Sequence, residues 1–174
     1  SNSGDLFIRS VNWKPIITAP HGYVLGLAFG IILESDLIVA EEGTRIQLTE
    51  TSRGLGGSKY WRLMQYRGGS TFSTEIALTG RFFTAEEGHA AGIIDRVAPK
   101  GKHLETAMEL AQQVNANPPL SVRATVRTRR LEMERIGKEA QSQINALKLF
   151  LTEDFHEAAK AFTEKRKPNK FEGR

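Results

Sequence analysis

The feature that most constrains this chain is a change of pattern at Pro99. Before it, short β-branched apolar runs alternate with stretches of helical periodicity; after it the strand-like runs stop and only helical periodicity continues. An alternating first part asks for helices packed on a sheet, and a purely helical second part must bury its apolar stripes against another surface. The expectation is an α/β unit over residues 1–100 and a helical region over residues 101–174.

Within the first part, residues 14–19 (KPIITA) read as a short buried strand, followed by a turn at Pro20-His21-Gly22. Residues 24–34 read as a helix in which Gly22, Gly26 and Gly30 fall on one face and admit a close neighbour. Strands are expected at 36–40 (DLIVA), 45–48 and 93–97 (IIDRV), with helices at 59–66 and 73–78. Thr84 followed by Glu87 is a capping box that opens a further helix, closed by Gly92.

In the second part, Leu104, Ala107, Met108, Ala111 and Val114 mark one helix. Asn117 and Pro118 start a second. Ala140, Ile144, Leu147 and Leu151 mark a third, and Phe155, Ala158, Ala159 and Phe162 a fourth. The tail from Lys165 is basic and irregular. No repeat of fixed period is visible.

Several functions are excluded or lack a signal. The 174 residues contain no cysteine, which removes disulfides, thiolate metal sites and a cysteine nucleophile. His21, His89, His103 and His156 lack metal-ligand spacing and read as surface or turn residues. The longest apolar run, residues 23–33, is far short of the roughly 20 residues of a membrane span and reads as a buried helix. The start, SNSG, has neither a basic nor an apolar segment of a signal peptide, so a cytoplasmic location is expected. GLGGSK lacks the Gly-Lys-Ser/Thr ending of a phosphate-binding loop, because Ser58 separates Gly57 from Lys59. The net charge of +4 and the arginines Arg123, Arg127, Arg129 and Arg130 read as a solvated or salt-bridged face.

Four ordered blocks carry a resemblance. KPIITAPHGYVLGLAFGIILESDLIVA has a strand, a turn, Gly-Tyr-x-Leu-Gly, a helix and a strand opened by Asp36, with Glu50 and a glycine loop following. ALTGRFFTAEEGHAAGIIDRV, NPPLSVRATVR and AFTEKRKPNKFEGR come after it in order. Together they resemble the C-terminal two-thirds of a crotonase-family subunit, of the enoyl-CoA hydratase/isomerase superfamily. The resemblance implies a partial ββα spiral core followed by a helical region that makes trimer contacts, in a homotrimer or a dimer of trimers. It also implies a chain that lacks an N-terminal portion, and with it a second oxyanion donor, and is inactive alone.

The implied chemistry is that of an acyl-CoA thioester whose enolate is held by two main-chain N–H groups. The Leu27 N–H matches one of them, although the family has Gly there. Hydratases of the family use two glutamates; Glu50 matches one, and Gly30 stands where the other would be. Glu34, one helical turn beyond Gly30, is a poor substitute. A single carboxylate suits proton transfer between carbons better than water addition. Phe162 and Lys165 match positions that contact the adenine and phosphates of CoA, often across a subunit boundary. No cofactor is required beyond the CoA of the substrate, and neither a membrane nor a nucleic-acid partner is expected. A non-catalytic protein of the same fold, acting by assembly or RNA binding, is the alternative.

Overall fold

The computed structural model describes residues 13–174, and Ser70 without its side chain; the SNSG start lies outside the described residues. Its strands are short and fall in two small sheets, which the first four occupy in alternation. β1 (Ile17–Thr18) pairs in parallel with β3 (Leu37–Glu41), and β3 pairs in parallel with β6 (Arg96–Ala98). β2 (Tyr23–Leu25) pairs in parallel with β4 (Arg45–Gln47), which pairs antiparallel with β5 (Phe83–Thr84). The chain thus climbs as a spiral, laying one strand on each sheet per turn. The β1 register advances from Ile17 to Leu37 and the β2 register from Tyr23 to Arg45. The next turn, from β3 to β6, takes the chain from Val39 to Arg96. That unequal spacing is why the structural repeat leaves no period in the sequence.

Between the strands run α1 (Leu27–Glu34), α2 (Ser58–Arg67), α3 (Ser70–Thr79) and α4 (Ala85–Ala90). Fully buried Phe29, Leu33, Ile38, Ile46, Leu63, Met64, Ile76 and Phe83 join them into one core. Phe83 is met edge-on by Phe29 and Phe72, at 5.6 and 5.4 Å between centroids, a favoured aromatic geometry. The capping box at Thr84 and Glu87 is formed as expected.

Two expected elements differ. Residues 24–34 are not one helix: β2 ends at Leu25, Gly26 turns the chain, and α1 begins at Leu27. Gly22 therefore lies outside the helix, in the turn before β2. The strand expected at 93–97 is displaced to Arg96–Ala98, because Ile93 and Ile94 donate their N–H groups to Gly88 O as α4 closes. β5, only two residues long, carries no periodic signal.

The second part is helical, with α5 (His103–Asn115), α6 (Pro119–Asn145) and α7 (Glu153–Thr163). α6 absorbs Ala140 and Ile144, so the third expected helix is the end of the second; Leu151 belongs to a 3-10 turn at Leu149–Leu151. The buried face of α6 runs Val126, Arg130, Met133, Gly137 and Ala140, which is helical spacing with a charge in its middle. Arg130 is 1% exposed and binds both carboxylate oxygens of Asp36 at the head of β3, and the Lys14 carbonyl at 2.7 Å. Arg129 binds Asp36 Oδ1 at 3.0 Å and the Ser35 carbonyl at 3.1 Å. Asp36 Oδ2 also accepts the Ile16 N–H at 2.8 Å. Of Arg123, Arg127, Arg129 and Arg130, the last two are therefore ion-paired into the fold.

Removing one partner of a buried pair leaves the other charge uncompensated. Asp36→Ala is expected to lower the unfolding free energy by about 3–5 kcal/mol, measured by urea denaturation. An unchanged midpoint would remove the pair from the account of stability.

Candidate active site

The site is built along one face of α1. Gly26, Gly30 and Glu34 recur every four residues and share that face. Three side chains from beyond β4 stand over it in order: Glu50 by Gly26, Tyr60 by Gly30 and Lys59 by Glu34.

Gly26 makes the entry possible. Its φ of 50° and ψ of −115° belong to a region open to glycine, and its N–H donates to the Gln47 carbonyl at 3.1 Å. A β-carbon there would stand 2.7 Å from Thr49 Oγ1. The sharp turn puts Leu27 at the first position of α1, where the helix itself supplies no acceptor for its N–H. The positive end of the helix favours an anion at that point. The Leu27 side chain is 63% exposed, so the bulk that replaces glycine is turned outward.

Glu50 follows β4 and opens the 3-10 turn Thr51–Arg53. Its Oε1 lies 3.6 Å from where a β-carbon on Gly26 would stand. Its Oε2 is buried with no hydrogen-bond partner. Burial pushes the Glu50 carboxyl above its ordinary value, outweighing the backbone N–H groups of Glu50 and Thr49, which lower it. A carboxylate raised in this way is suited to act as a base near neutral pH.

Gly30 has no carboxylate, and its space is filled. A β-carbon on Gly30 would stand 2.5 Å from Tyr60 Cε1 and 2.7 Å from Tyr60 Oη. The phenol of Tyr60 is pushed up to about 12, first by burial and then by the charges of Glu50 and Glu34. It is a neutral hydroxyl at any physiological pH. Glu34 is 6% exposed and paired with Lys59 Nζ at 2.7 Å. That pairing engages its carboxylate at the far end of α1 from Leu27.

The C-terminal residues return to the same region. Gly54, with a φ of 71°, lets α7 approach: a β-carbon there would stand 2.9 Å from Phe155 Cα. Phe162, 65% exposed, stacks on Arg53, whose Cζ lies 3.6 Å from the ring centroid. Lys165 is exposed, its N–H donates to the Phe162 carbonyl at 3.2 Å, and its ammonium has no ion pair among the described residues. Phe162 thus sits beside the turn that carries Glu50, within one chain. The glycine loop has a packing role: Gly56 lies against Ile144, and Gly57 against Leu48.

Leu27, Glu50 and Phe162 thus gather about the start of α1 and the turn after β4, with Lys165 just beyond Phe162. Tyr60 and Arg53 were not legible beforehand. Nothing in the spacing of a Lys-Tyr pair after a glycine loop announces that its ring will replace a side chain on another helix. The histidines fall in turns and at helix ends, with His21 and His103 stacked at 4.9 Å between centroids. Among the described residues, no group of three His, Cys, Asp or Glu side chains could hold a metal ion, and no helix is long and apolar enough to cross a membrane.

A spiral of short strands with a glycine turn feeding a helix N-terminus beside a half-buried glutamate defines a class, and the comparisons agree with it. The family model for enoyl-CoA hydratase/isomerase matches residues 6–174, and the chain belongs to that family. It is 35% identical over 161 residues to the mevalonyl-coenzyme A hydratase sidH of Aspergillus fumigatus, covering 89% of this chain and 59% of that protein. It is 34% identical over 166 residues to the 2,3-dehydroadipyl-CoA hydratase of Escherichia coli, covering 92% of this chain and 64% of that one. Among solved structures, a carnitinyl-CoA dehydratase from Mycobacterium avium matches with a TM-score of 0.82 at 30% identity, over 96% of this chain and 67% of that one. A methylmalonyl-CoA decarboxylase matches with a TM-score of 0.79 at 27% identity, over 93% and 66%. The fold is the crotonase fold and the family is one of enzymes. The chain spans about three-fifths of the length of the curated relatives it matches.

Because burial raises the Glu50 carboxyl, the folded state holds that proton more tightly than the unfolded chain does. Its contribution to stability is fully present below the ordinary value of 4.5 and is lost as pH rises through the raised value. Glu50→Gln is therefore expected to be more stable than the wild type at pH 7, with the difference closing below pH ~4. Denaturant titrations at both pH values measure it; a glutamine variant less stable at pH 7 would contradict the desolvation account.

Proposed function

We propose that this protein acts on acyl-CoA thioesters, using the Leu27 N–H to hold the thioester oxygen and Glu50 as the one carboxylate base. The observation that carries the reading is the buried, unpartnered Oε2 of Glu50 beside the N-terminus of α1. A proton removed from Cα leaves an enolate, and a main-chain donor at a helix start stabilises the negative oxygen as it forms. An oxygen with a free lone pair is available to take a proton from carbon.

With Gly30 in place of a second carboxylate, the reaction favoured is a one-base transfer of a proton between carbons, as in a double-bond isomerisation. A second reading, the addition or removal of water, is supported by the Tyr60 hydroxyl in the space beside Gly30 and by the similarity to the two hydratases. Phe162 and Arg53 offer a stacked pair for the adenine, and Lys165 a point charge for a phosphate. We assign trimer contacts to the helical region over residues 101–174.

In the full-length protein, Glu50→Gln is expected to lower turnover of an enoyl-CoA by about 10²-fold or more while CoA binding stays nearly intact. Supplying both a 3-enoyl-CoA and a 2-enoyl-CoA separates isomerisation from hydration by the product formed. Wild-type rates in the glutamine variant would remove Glu50 from the chemistry. Lys165→Ala is expected to weaken CoA binding and to leave the maximal rate unchanged; unchanged affinity, measured by calorimetry, would withdraw the phosphate assignment.

A further inference from the structure

Two polar atoms over α1 have no hydrogen-bond partner among the described residues. Glu50 Oε2 is buried and accepts no hydrogen bond. Tyr60 Oη lies against Gly30 and makes no hydrogen bond among the described residues. Both stand over the face of α1 that begins at the Leu27 N–H. An unpartnered polar atom at the edge of a core is costly unless a ligand or water completes it.

We propose that Tyr60 is a specificity-determining residue whose neutral hydroxyl binds a hydroxyl group on the β-carbon of the acyl chain. This rests on the reading of the site as one for acyl-CoA thioesters, and within it favours the addition or removal of water, because the β-carbon of a migrating double bond carries no hydroxyl.

The geometry and the complementarity of the two groups support it. Leu27 and Gly30 are three residues apart on α1, about 4.5 Å along the axis. An acyl chain crosses that span in passing from its thioester oxygen to a substituent on its β-carbon. An ionised carboxylate only accepts hydrogen bonds, whereas a neutral phenol donates one. A hydroxyl is the small group that satisfies both, donating to Glu50 and accepting from Tyr60. The displaced phenol value means that Tyr60 remains a donor across the working pH range and carries no charge to compete with that of Glu50.

Position and ring packing fix the donor. Tyr60 is the third residue of α2, and the residue before it, Lys59, is anchored by Glu34 one turn along α1. The ring rests against Gly30 and lies 6.5 Å from Phe29 between centroids. A side chain at position 30 would push the ring aside, so Gly30 and Tyr60 operate as a pair.

The test measures binding in the full-length protein with two ligands that differ only in the group at issue: a 3-hydroxyacyl-CoA and the acyl-CoA of the same chain length without the hydroxyl. Tyr60→Phe, which keeps the ring against Gly30, is expected to weaken the 3-hydroxyacyl-CoA about tenfold and to leave the other unchanged. Equal effects on both ligands, or none on either, would overturn the role of Tyr60 while leaving the acyl-CoA reading intact. Failure of the wild type to bind either ligand would instead overturn the acyl-CoA reading itself. Gly30→Ala is the second variant: it displaces the ring without touching the hydroxyl, and is expected to reproduce the same selective loss. Retention of full selectivity by a folded Gly30→Ala protein would also count against the pairing.

Discussion

The contact on which the rest depends is that of Asp36 with Arg129 and Arg130. Asp36 opens β3, and its carboxylate also holds the Ile16 N–H beside β1. One side chain thus joins the first strand, the head of the next and the middle of α6. Such a pair is expensive to desolvate and secures position more than net stability. Position is what a spiral of two- and three-residue strands lacks, because so few ladder bonds set its register. Arg67 repeats the device beside it, sharing the Ser35 carbonyl with Arg129 and binding the carbonyls of Leu33 and Ile93 and the carboxylate of Asp95. It takes up orphan carbonyls at the C-terminus of α1, and burial lowers its guanidinium to about 10. α1 is therefore held at its far end by charge and at its near end by the Gly26 turn.

Holding α1 at both ends serves the chemistry proposed at its start. The Leu27 N–H serves a developing anion only if the helix cannot retreat from it, since the gain lies in donors that need not reorganise. Glu50 must also stay half-buried with an unsatisfied oxygen, which opposes folding at neutral pH. The core around Phe29, Ile46 and Leu48 offsets that cost, as local strain at functional sites is offset elsewhere.

Much of this was legible in the sequence where the signal is local. The capping box at Thr84, the amphipathic stripe of α5 and the end of strands at Pro99 all rest on neighbouring residues, and all are found. The break at Gly26 was not. Tyr-Val-Leu-Gly-Leu is equally apolar as helix or strand, and what decides is the Gln47 carbonyl that Gly26 meets across the sheet. Arg130 belongs to a basic face that reads as solvated or salt-bridged; the salt bridge is found, but its partner was not legible because that carboxylate lies 94 residues away. Leu27, Glu50 and Phe162 could be singled out by resemblance, which carries long-range information that spacing alone lacks. Arg53 and Tyr60 fell outside it, since each matters only through what another element brings beside it.

On the proposed reading, Gly30 with Tyr60 beside it shows how a site can change while its frame stays fixed. A carboxylate on α1 would project from the same helix that carries the proposed oxyanion donor, so its charge would oppose an anion formed there. Removing it and turning a phenol into the same volume keeps a polar atom near Glu50 without a second negative charge. The single remaining carboxylate then feels less like-charge repulsion when it ionises. Its raised value must come from desolvation, which is the first cause acting on Glu50. In the proposed reaction, base strength and oxyanion stabilisation are thereby set by separate features, the burial of Glu50 and the end of α1, so that either can vary without undoing the other.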